Sequence, residues 1–137
     1  MTSRFTYDAN LDPPGPVIPV RISAPRATDA VMLPMIVDTG ADCTLVPSEI
    51  VRRLALPQVD VIGISGVGGG KQRATMHAAL VELAGLPVLA RVVAFGGEAI
   101  LGRDLLNRVV VTLDGPELAV SVSSSSGRRR RNRRPPR

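Results

Sequence analysis

The chain has 137 residues, of which 45% are apolar, and this is enough for one globular domain with a modest core. Its formal net charge of +5 comes from the last ten residues, which hold seven arginines and leave 10 basic against 12 acidic residues elsewhere. This distribution excludes a nucleic-acid interface spread over the whole domain. The single cysteine excludes an intrachain disulfide, and no apolar run is long enough to span a bilayer, so we expect a soluble, cytoplasmic protein.

Composition divides the chain into three parts. Residues 1–16 include a Pro-Pro-Gly-Pro run and are expected to form a flexible N-terminal segment. Residues 17–122 alternate short apolar runs with Gly and Pro, which predicts a domain of strands and turns. Residues 123–137 are rich in Ser and Arg, and a polar segment of this kind cannot bury enough apolar surface to fold. We therefore predict a disordered tail.

Most elements of the domain are predicted to be strands, with two short helices between them. The first helix is expected between Pro47 and Pro57, with Ser48 as its N-cap, and the second over Asp104–Arg108. The last two strands should form a hairpin across an Asp-Gly turn. In chain order the strands are Val17–Ile22, Ala30–Val37, Cys43–Val46, the arms of a hairpin between Val59 and Ala79, segments of 81–95 separated at Gly85 and Pro87, Val109–Leu113 and Leu118–Val122.

The tip of the hairpin between Val59 and Ala79 is unusually rich in glycine, from Gly66 to Gly70. With almost no side chains, this tip is expected to be conformationally free. The alternative is a loop that binds phosphate, which would require a helix to begin directly after the glycines. The following segment has the pattern of a strand, so the hairpin is favoured.

An Asp-Thr-Gly sequence lies between two apolar runs, at Asp38, Thr39 and Gly40. Val and Ile favour strands and Gly breaks them, which predicts a tight loop that presents Asp38 between two strands. Carboxylates are normally solvated, so this placement indicates either a functional site or an ordinary turn. A three-residue motif cannot decide between the two by itself.

A second segment, Ile100-Leu101-Gly102-Arg103-Asp104, follows the glycine-rich hairpin. Together with the Asp-Thr-Gly-Ala loop, and in the same order, it resembles the retropepsins, the single-domain aspartic proteases typified by retroviral proteases and their cellular and bacterial relatives. The resemblance covers residues 17–122. It implies a mostly all-β, closed β-barrel-like domain with one or two short helices, which is active as a symmetric homodimer and needs no cofactor or metal.

The resemblance also implies a reaction, the hydrolysis of peptide or protein substrates. This chemistry needs two carboxylates, one ionised as general base for a water and one protonated to donate to the scissile carbonyl. The chain has one Asp-Thr-Gly, and Asp42 on the same loop is poorly placed to face Asp38. A dimer is therefore required, in which Asp38 of each subunit meets the other at the two-fold axis.

Further residues receive roles from the resemblance. Thr39 is expected to hydrogen-bond across the dimer axis, and Gly40 to allow close approach of the substrate. Ala41 lacks the hydroxyl of the more common Ser, and we expect activity to extend toward mildly acidic or near-neutral pH. Arg103 is expected to pair with Asp42. The residues expected to contact substrate are Ala41, Asp42 and Cys43 on the loop and Ser65, Gly66, Val67 and Gly68 on the flap, and those with structural roles are Gly102, Arg103 and Asp104.

Two other functions remain open at this point. The domain could be a catalytically silent dimer that binds peptides or scaffolds an assembly. The arginines of Arg128–Arg137 could tether the domain to nucleic acid or an anionic surface, or could simply be solvated. His77 is the only histidine, so a metal site or a Ser-His site lacks its parts. One Lys among many Arg, with abundant Ala, Gly and Val, favours a GC-rich bacterial source.

Overall fold

A computed structural model of the chain describes residues 2–65 and 68–124. Strands dominate these residues, as predicted, and two short helices lie between them. None of the described helices is long and apolar enough to cross a membrane. The elements are β1 (Thr2–Thr6), β2 (Val17–Ser23), β3 (Ala30–Val37), β4 (Leu45–Val46), α1 (Ser48–Arg53), β5 (Gln58–Ser65), β6 (Lys71–Leu83), β7 (Leu86–Ala94), β8 (Ile100–Leu101), α2 (Arg103–Leu106), β9 (Val109–Asp114) and β10 (Ala119–Ser124).

The main sheet closes on itself. Its strand order is β2-β3-β8-β4-β7-β6-β5, and β2 also pairs with β6. Strand β6 can take part in both pairings because it is 13 residues long. Its first half pairs with β5, whereas Leu80, Val81 and Glu82 pair with β2. Six strands therefore form a ring, and the prediction of a closed β-barrel-like domain is confirmed.

Alternation of apolar and polar residues fills the ring with a core. In β2, Ile18, Val20 and Ile22 are fully buried because every second side chain of a strand points to the same face. Strand β6 contributes Val81 and Leu83 in the same way. The helices cover the remaining sides with buried residues, which are Val51 of α1 and Leu105 and Leu106 of α2.

The hairpin that contains the glycine-rich segment is formed as predicted by β5 and β6, from Ser65↔Lys71 at one end to Gln58↔His77 at the other. Because a strand and not a helix follows the glycines, the phosphate-loop alternative is wrong. Gly68 and Gly69 have φ values of 115° and 79°, a region that favours glycine. Gly66 and Val67, two of the predicted flap residues, lie outside the described residues.

Four predictions about the elements need correction. The first is the flexible N-terminal segment, because Thr2–Thr6 forms β1 and pairs antiparallel with β10. Strand β1 is short and has Phe5 as its one apolar residue, so its sequence does not predict a strand. In the structure, Phe5 packs against the core. Strand β10 also reaches Ser124, whereas the predicted tail began at 123; residues 125–137 of that tail lie outside the described part of the chain.

The other two corrections concern single residues. Ser48 is the first residue of α1 and not its cap, since Pro47 precedes the helix and no side chain caps it. The backbone N–H of Ser48 instead donates to the carbonyl of Gly96 at 3.1 Å. Pro87 does not interrupt a strand, because it lies within β7 opposite Glu82. The interruption predicted near Gly85 is the turn between β6 and β7.

Candidate active site

Asp38 follows the end of β3, where this strand runs parallel to β8. Ile36 and Val37 pair with Ile100 and Leu101, and the backbone N–H of Asp38 donates to the carbonyl of Leu101 at 3.1 Å. The two apolar runs recognised in the sequence are therefore neighbouring strands. Their pairing fixes the point at which the backbone of Asp38 leaves the barrel.

The loop that begins at Asp38 is a tight turn closed on its own carboxylate. The N–H of Gly40 donates to Oδ1 of Asp38 at 2.9 Å, and the N–H of Ala41 donates to the Asp38 carbonyl at 3.2 Å. A Cβ at Gly40 would lie 3.1 Å from the same Oδ1, which leaves little room for a side chain. The carboxylate is half-buried, whereas Thr39 and Gly40 are exposed.

Helix α2 braces this loop through its first residue, Arg103. The N–H of Arg103 donates to the carbonyl of Ala41 at 2.8 Å, and its Nη1 donates to the carbonyl of Thr39 at 2.7 Å. Gly102, just before the helix, lies so close to Cys43 that a Cβ would overlap the Cys43 carbonyl oxygen. The two sequence motifs are thus a single structural unit, and glycine is required where they touch.

Thr44 is the centre of a polar network that the sequence analysis missed. Its side chain is fully buried, and its Oγ1 donates to Oδ1 of Asp104 at 2.7 Å while accepting the N–H of Gly102 at 3.1 Å. Asp104 also accepts the N–H of Leu105 at 2.9 Å. Each partner of Asp104 is a donor, which suits a carboxylate. A threonine within the apolar Cys-Thr-Leu-Val run was the available signal.

The expected ion pair between Arg103 and Asp42 does not form. Among the described residues no carboxylate lies within ion-pair distance of Arg103, and its guanidinium is satisfied by the Thr39 carbonyl instead. The reason is geometric, since α2 approaches the loop from the side of its backbone carbonyls. Arg103 still braces the loop, but through a main-chain contact, and the exposed Asp42 lines the cleft.

Above the loop lies a cleft of about 760 Å³ between the Asp38 loop, the β5–β6 hairpin and the segment that enters β8. Of the predicted residues, Asp38, Gly40 and the three that follow line it on one side, and Ser65 and Gly68 on the other. Thr39, Gly102, Arg103 and Asp104 do not line it. The cleft also has residues that sequence reasoning missed, which are Leu45, Ile64, Gly70, Gln72, Phe95, Glu98 and Ile100.

Cys43 lies half-buried in the wall of this cleft. Burial raises the pKa of its thiol above the ordinary value of 9.0, and the negative charges of Asp42 and Asp104 raise it further. The thiol is therefore neutral at physiological pH and weakly nucleophilic. It acts as a small, weakly polar part of the wall.

His77 is a buried structural residue on β6. Its Nδ1 lies 2.8 Å from the carbonyl of Leu56, and its Nε2 lies 2.8 Å from Oγ1 of Thr75. Both ring nitrogens are thus engaged in contacts that tie the loop after α1 to the hairpin. Within residues 2–65 and 68–124 no group of three or more His, Cys, Asp or Glu side chains could hold a metal ion.

Comparison with known proteins relates this geometry to a family. Residues 13–114 match the family described as retroviral aspartyl protease. No curated protein sequence matches the chain. Among solved structures, the EIAV protease complexed with the inhibitor HBY-793 is similar, with a TM-score of 0.55 and 27% identity over 75% of this chain and 92% of that chain.

A second solved structure, a retropepsin-like aspartic protease from Rickettsia conorii, matches the fold with a TM-score of 0.57. The identity is 17%, and the match covers 89% of this chain and 91% of that one. The family match extends over most of the described domain and includes both the Asp-Thr-Gly loop and α2. The chain therefore belongs to the retroviral aspartyl protease family and has the retropepsin fold.

Proposed function

We propose that the protein is an aspartic endopeptidase in which Asp38 from each subunit of a homodimer activates a water molecule. The observation that carries this proposal is the position of Asp38: its carboxylate is half-buried at the floor of a cleft of about 760 Å³. A cleft of this volume is in the range that binds small molecules or a few residues of an extended peptide.

The architecture of the loop supports a role in chemistry. Aspartic catalysis requires each carboxylate to be held in place, because displacement of a reacting group by an ångström can cost orders of magnitude in rate. Asp38 is held through its N–H by Leu101 and through Oδ1 by Gly40. Arg103 secures the next residue along, by its bond to the Thr39 carbonyl.

A second copy of the chain supplies what one copy lacks. Like-charged carboxylates at close range share one proton, so one Asp38 takes a proton from the water while the other donates to the scissile carbonyl. The roles exchange when the leaving amine is protonated. Thr39 is exposed beside Asp38, with its carbonyl engaged by Arg103, so its side chain and N–H are the groups that we propose contact the partner loop.

The β5–β6 hairpin is proposed to act as the flap over the substrate. Ile64 and Gln72 line the cleft from facing positions on the two strands, and Gly68 and Gly70 line it near the tip. An extended peptide between this hairpin and the Asp38 loop could pair with their backbones, while pockets on alternating sides bind its side chains. The glycines allow the tip to change conformation when substrate enters.

The deciding experiment is cleavage of a mixed peptide library, across acidic to neutral pH, by the wild type and by Asp38→Asn. We expect wild type to cut internal peptide bonds and the variant to lose at least about a thousandfold in rate, as when other enzymes lose a group essential to their chemistry. Asp8→Asn is the matched control, because Asp8 is a carboxylate outside the cleft lining.

Three results are informative. Cuts that disappear only in Asp38→Asn support the protease. Cuts that persist in Asp38→Asn show that the activity belongs to a contaminant. If the wild-type dimer binds peptides without cutting them at any pH, the function is peptide binding or scaffolding and the enzyme proposal is wrong.

A further inference from the structure

The cleft is not uniformly apolar. One part of its wall is made by Leu45, Ile64, Phe95 and Ile100, which suits apolar substrate side chains. Two exposed carboxylates besides Asp38 also line it, those of Asp42 and Glu98. Among the described lining residues there is no Lys, Arg or His to balance them. The part of the cleft that the structure describes therefore combines apolar surface with uncompensated negative charge.

In the described part of the chain, the side chain of Glu98 makes no structural contact that would account for a carboxylate at this place in the cleft. It lies two residues before Ile100, on the segment that enters β8, and lines the same cleft as the Asp38 loop. Within residues 2–65 and 68–124, no hydrogen bond or ion pair engages its side chain. Asp42 differs, because it acts on the neighbouring Cys43 thiol by a hydrogen bond and by its charge.

The backbone places Glu98 close to the reacting centre. It is three residues before Leu101, whose carbonyl binds the N–H of Asp38. Even when fully extended, these three residues span at most about 10 Å. This is the distance at which a Glu side chain can meet the side chain of a residue that flanks the scissile bond, rather than the bond itself.

We propose that Glu98 is a specificity-determining residue that favours substrates with Arg or Lys beside the scissile bond. The inference rests on the proposed protease function. The aliphatic stem of a basic side chain packs on the apolar wall formed by Phe95 and Ile100, and its charged end meets the Glu98 carboxylate. Closure of the cleft around a peptide removes water and strengthens this attraction. In a symmetric dimer the preference applies on both sides of the bond.

The test uses a set of extended apolar peptides that differ only by Arg or its uncharged counterpart Gln at one position near the scissile bond. We expect wild type to favour the Arg member at one or more positions by about three- to tenfold in kcat/KM, the size of a partly exposed ion pair. In Glu98→Gln the Arg/Gln ratio should fall close to one, and in Glu98→Arg it should invert. Added salt should lower the wild-type ratio, since screening weakens an exposed ion pair.

Glu117→Gln is the matched control, because it removes the same charge from the turn between β9 and β10, outside the cleft lining. Its Arg/Gln ratio should equal that of wild type. If wild type cuts in an Asp38-dependent way but its ratio is near one, or if Glu98→Gln keeps the wild-type ratio, the specificity proposal is refuted and the protease proposal stands.

A binding measurement decides the same question if no peptide is cut. Fluorescence anisotropy with labelled members of the set, on the Asp38→Asn protein, should show tighter binding of the Arg peptide. The double variant with Glu98→Gln should lose that difference. Equal affinities for the Arg and Gln peptides on Asp38→Asn would overturn the proposal, whatever the outcome for catalysis.

Discussion

Thr44→Val tests the network that joins the Asp38 loop to α2. The substitution keeps the shape of a fully buried side chain and replaces its Oγ1 by a methyl group. Two hydrogen bonds are lost, one from Oγ1 to Asp104 at 2.7 Å and one from the N–H of Gly102 to Oγ1 at 3.1 Å. The carboxylate of Asp104 is exposed to water, whereas Gly102 is buried, so the unpaired N–H of Gly102 has the larger effect.

The magnitude follows from these contacts. A buried donor left without a partner costs about 1–3 kcal/mol, and loss of the bond to a partly solvated carboxylate adds about 1 kcal/mol. Burial of the new methyl group returns about 0.8 kcal/mol. The free energy of unfolding should therefore fall by about 1–3 kcal/mol, which corresponds to a fall in Tm of roughly 3–12 °C for a domain of this size.

Urea denaturation of the full chain at several fixed protein concentrations measures this change, since any self-association would make stability depend on concentration. Thr112→Val is the matched control, because Thr112 is exposed on β9, and its unfolding free energy should change by less than about 0.5 kcal/mol. The reasoning fails if Thr44→Val is as stable as wild type, or if the two threonine variants lose the same stability.

Two further predictions concern the same loop. Gly102→Ala should lower the free energy of unfolding by at least about 2 kcal/mol, because the new Cβ overlaps the backbone carbonyl of Cys43. Urea denaturation measures this loss, with Gly115→Ala as the control because a Cβ at Gly115 meets open space. Similar losses of stability in the two variants would contradict the prediction. Iodoacetamide at mildly alkaline pH should label Cys43 more slowly in the native protein than in urea, because the pKa of the folded thiol is raised. By the same shift, the contribution of Cys43 to stability is complete below its ordinary pKa of 9.0 and is lost as the pH rises through the higher folded value; equal labelling rates in the two states would contradict both statements.

The Asp-Thr-Gly loop and the Gly-Arg-Asp segment could be recognised from sequence because each is a local signal. Apolar strands lead into both motifs, and glycines mark the turns, so Asp38 and α2 were predicted in their correct local settings. The hairpin of β5 and β6 was recognisable for the same reason.

The sequence did not predict which distant segments contact each other. Thr44 and Asp104 are 60 residues apart, and nothing in their own surroundings shows that one donates to the other. Arg103 was expected to meet a carboxylate, but it binds the Thr39 carbonyl because of the direction from which α2 approaches. The flexibility predicted for the N-terminal segment is wrong because β1 is stabilised by pairing with β10, at the far end of the described chain.

By itself, the sequence determined the family, the strand-rich composition of the domain and the position of Asp38 on a loop between two strands. Only the tertiary structure decided that the two motifs are clamped through Thr44 and that Glu98 joins Asp38 in one cleft. The division has a physical cause: turn and strand preferences depend on neighbours in sequence, whereas hydrogen-bond partners and cleft walls depend on which distant strands pair, and closure of the barrel determines those pairings.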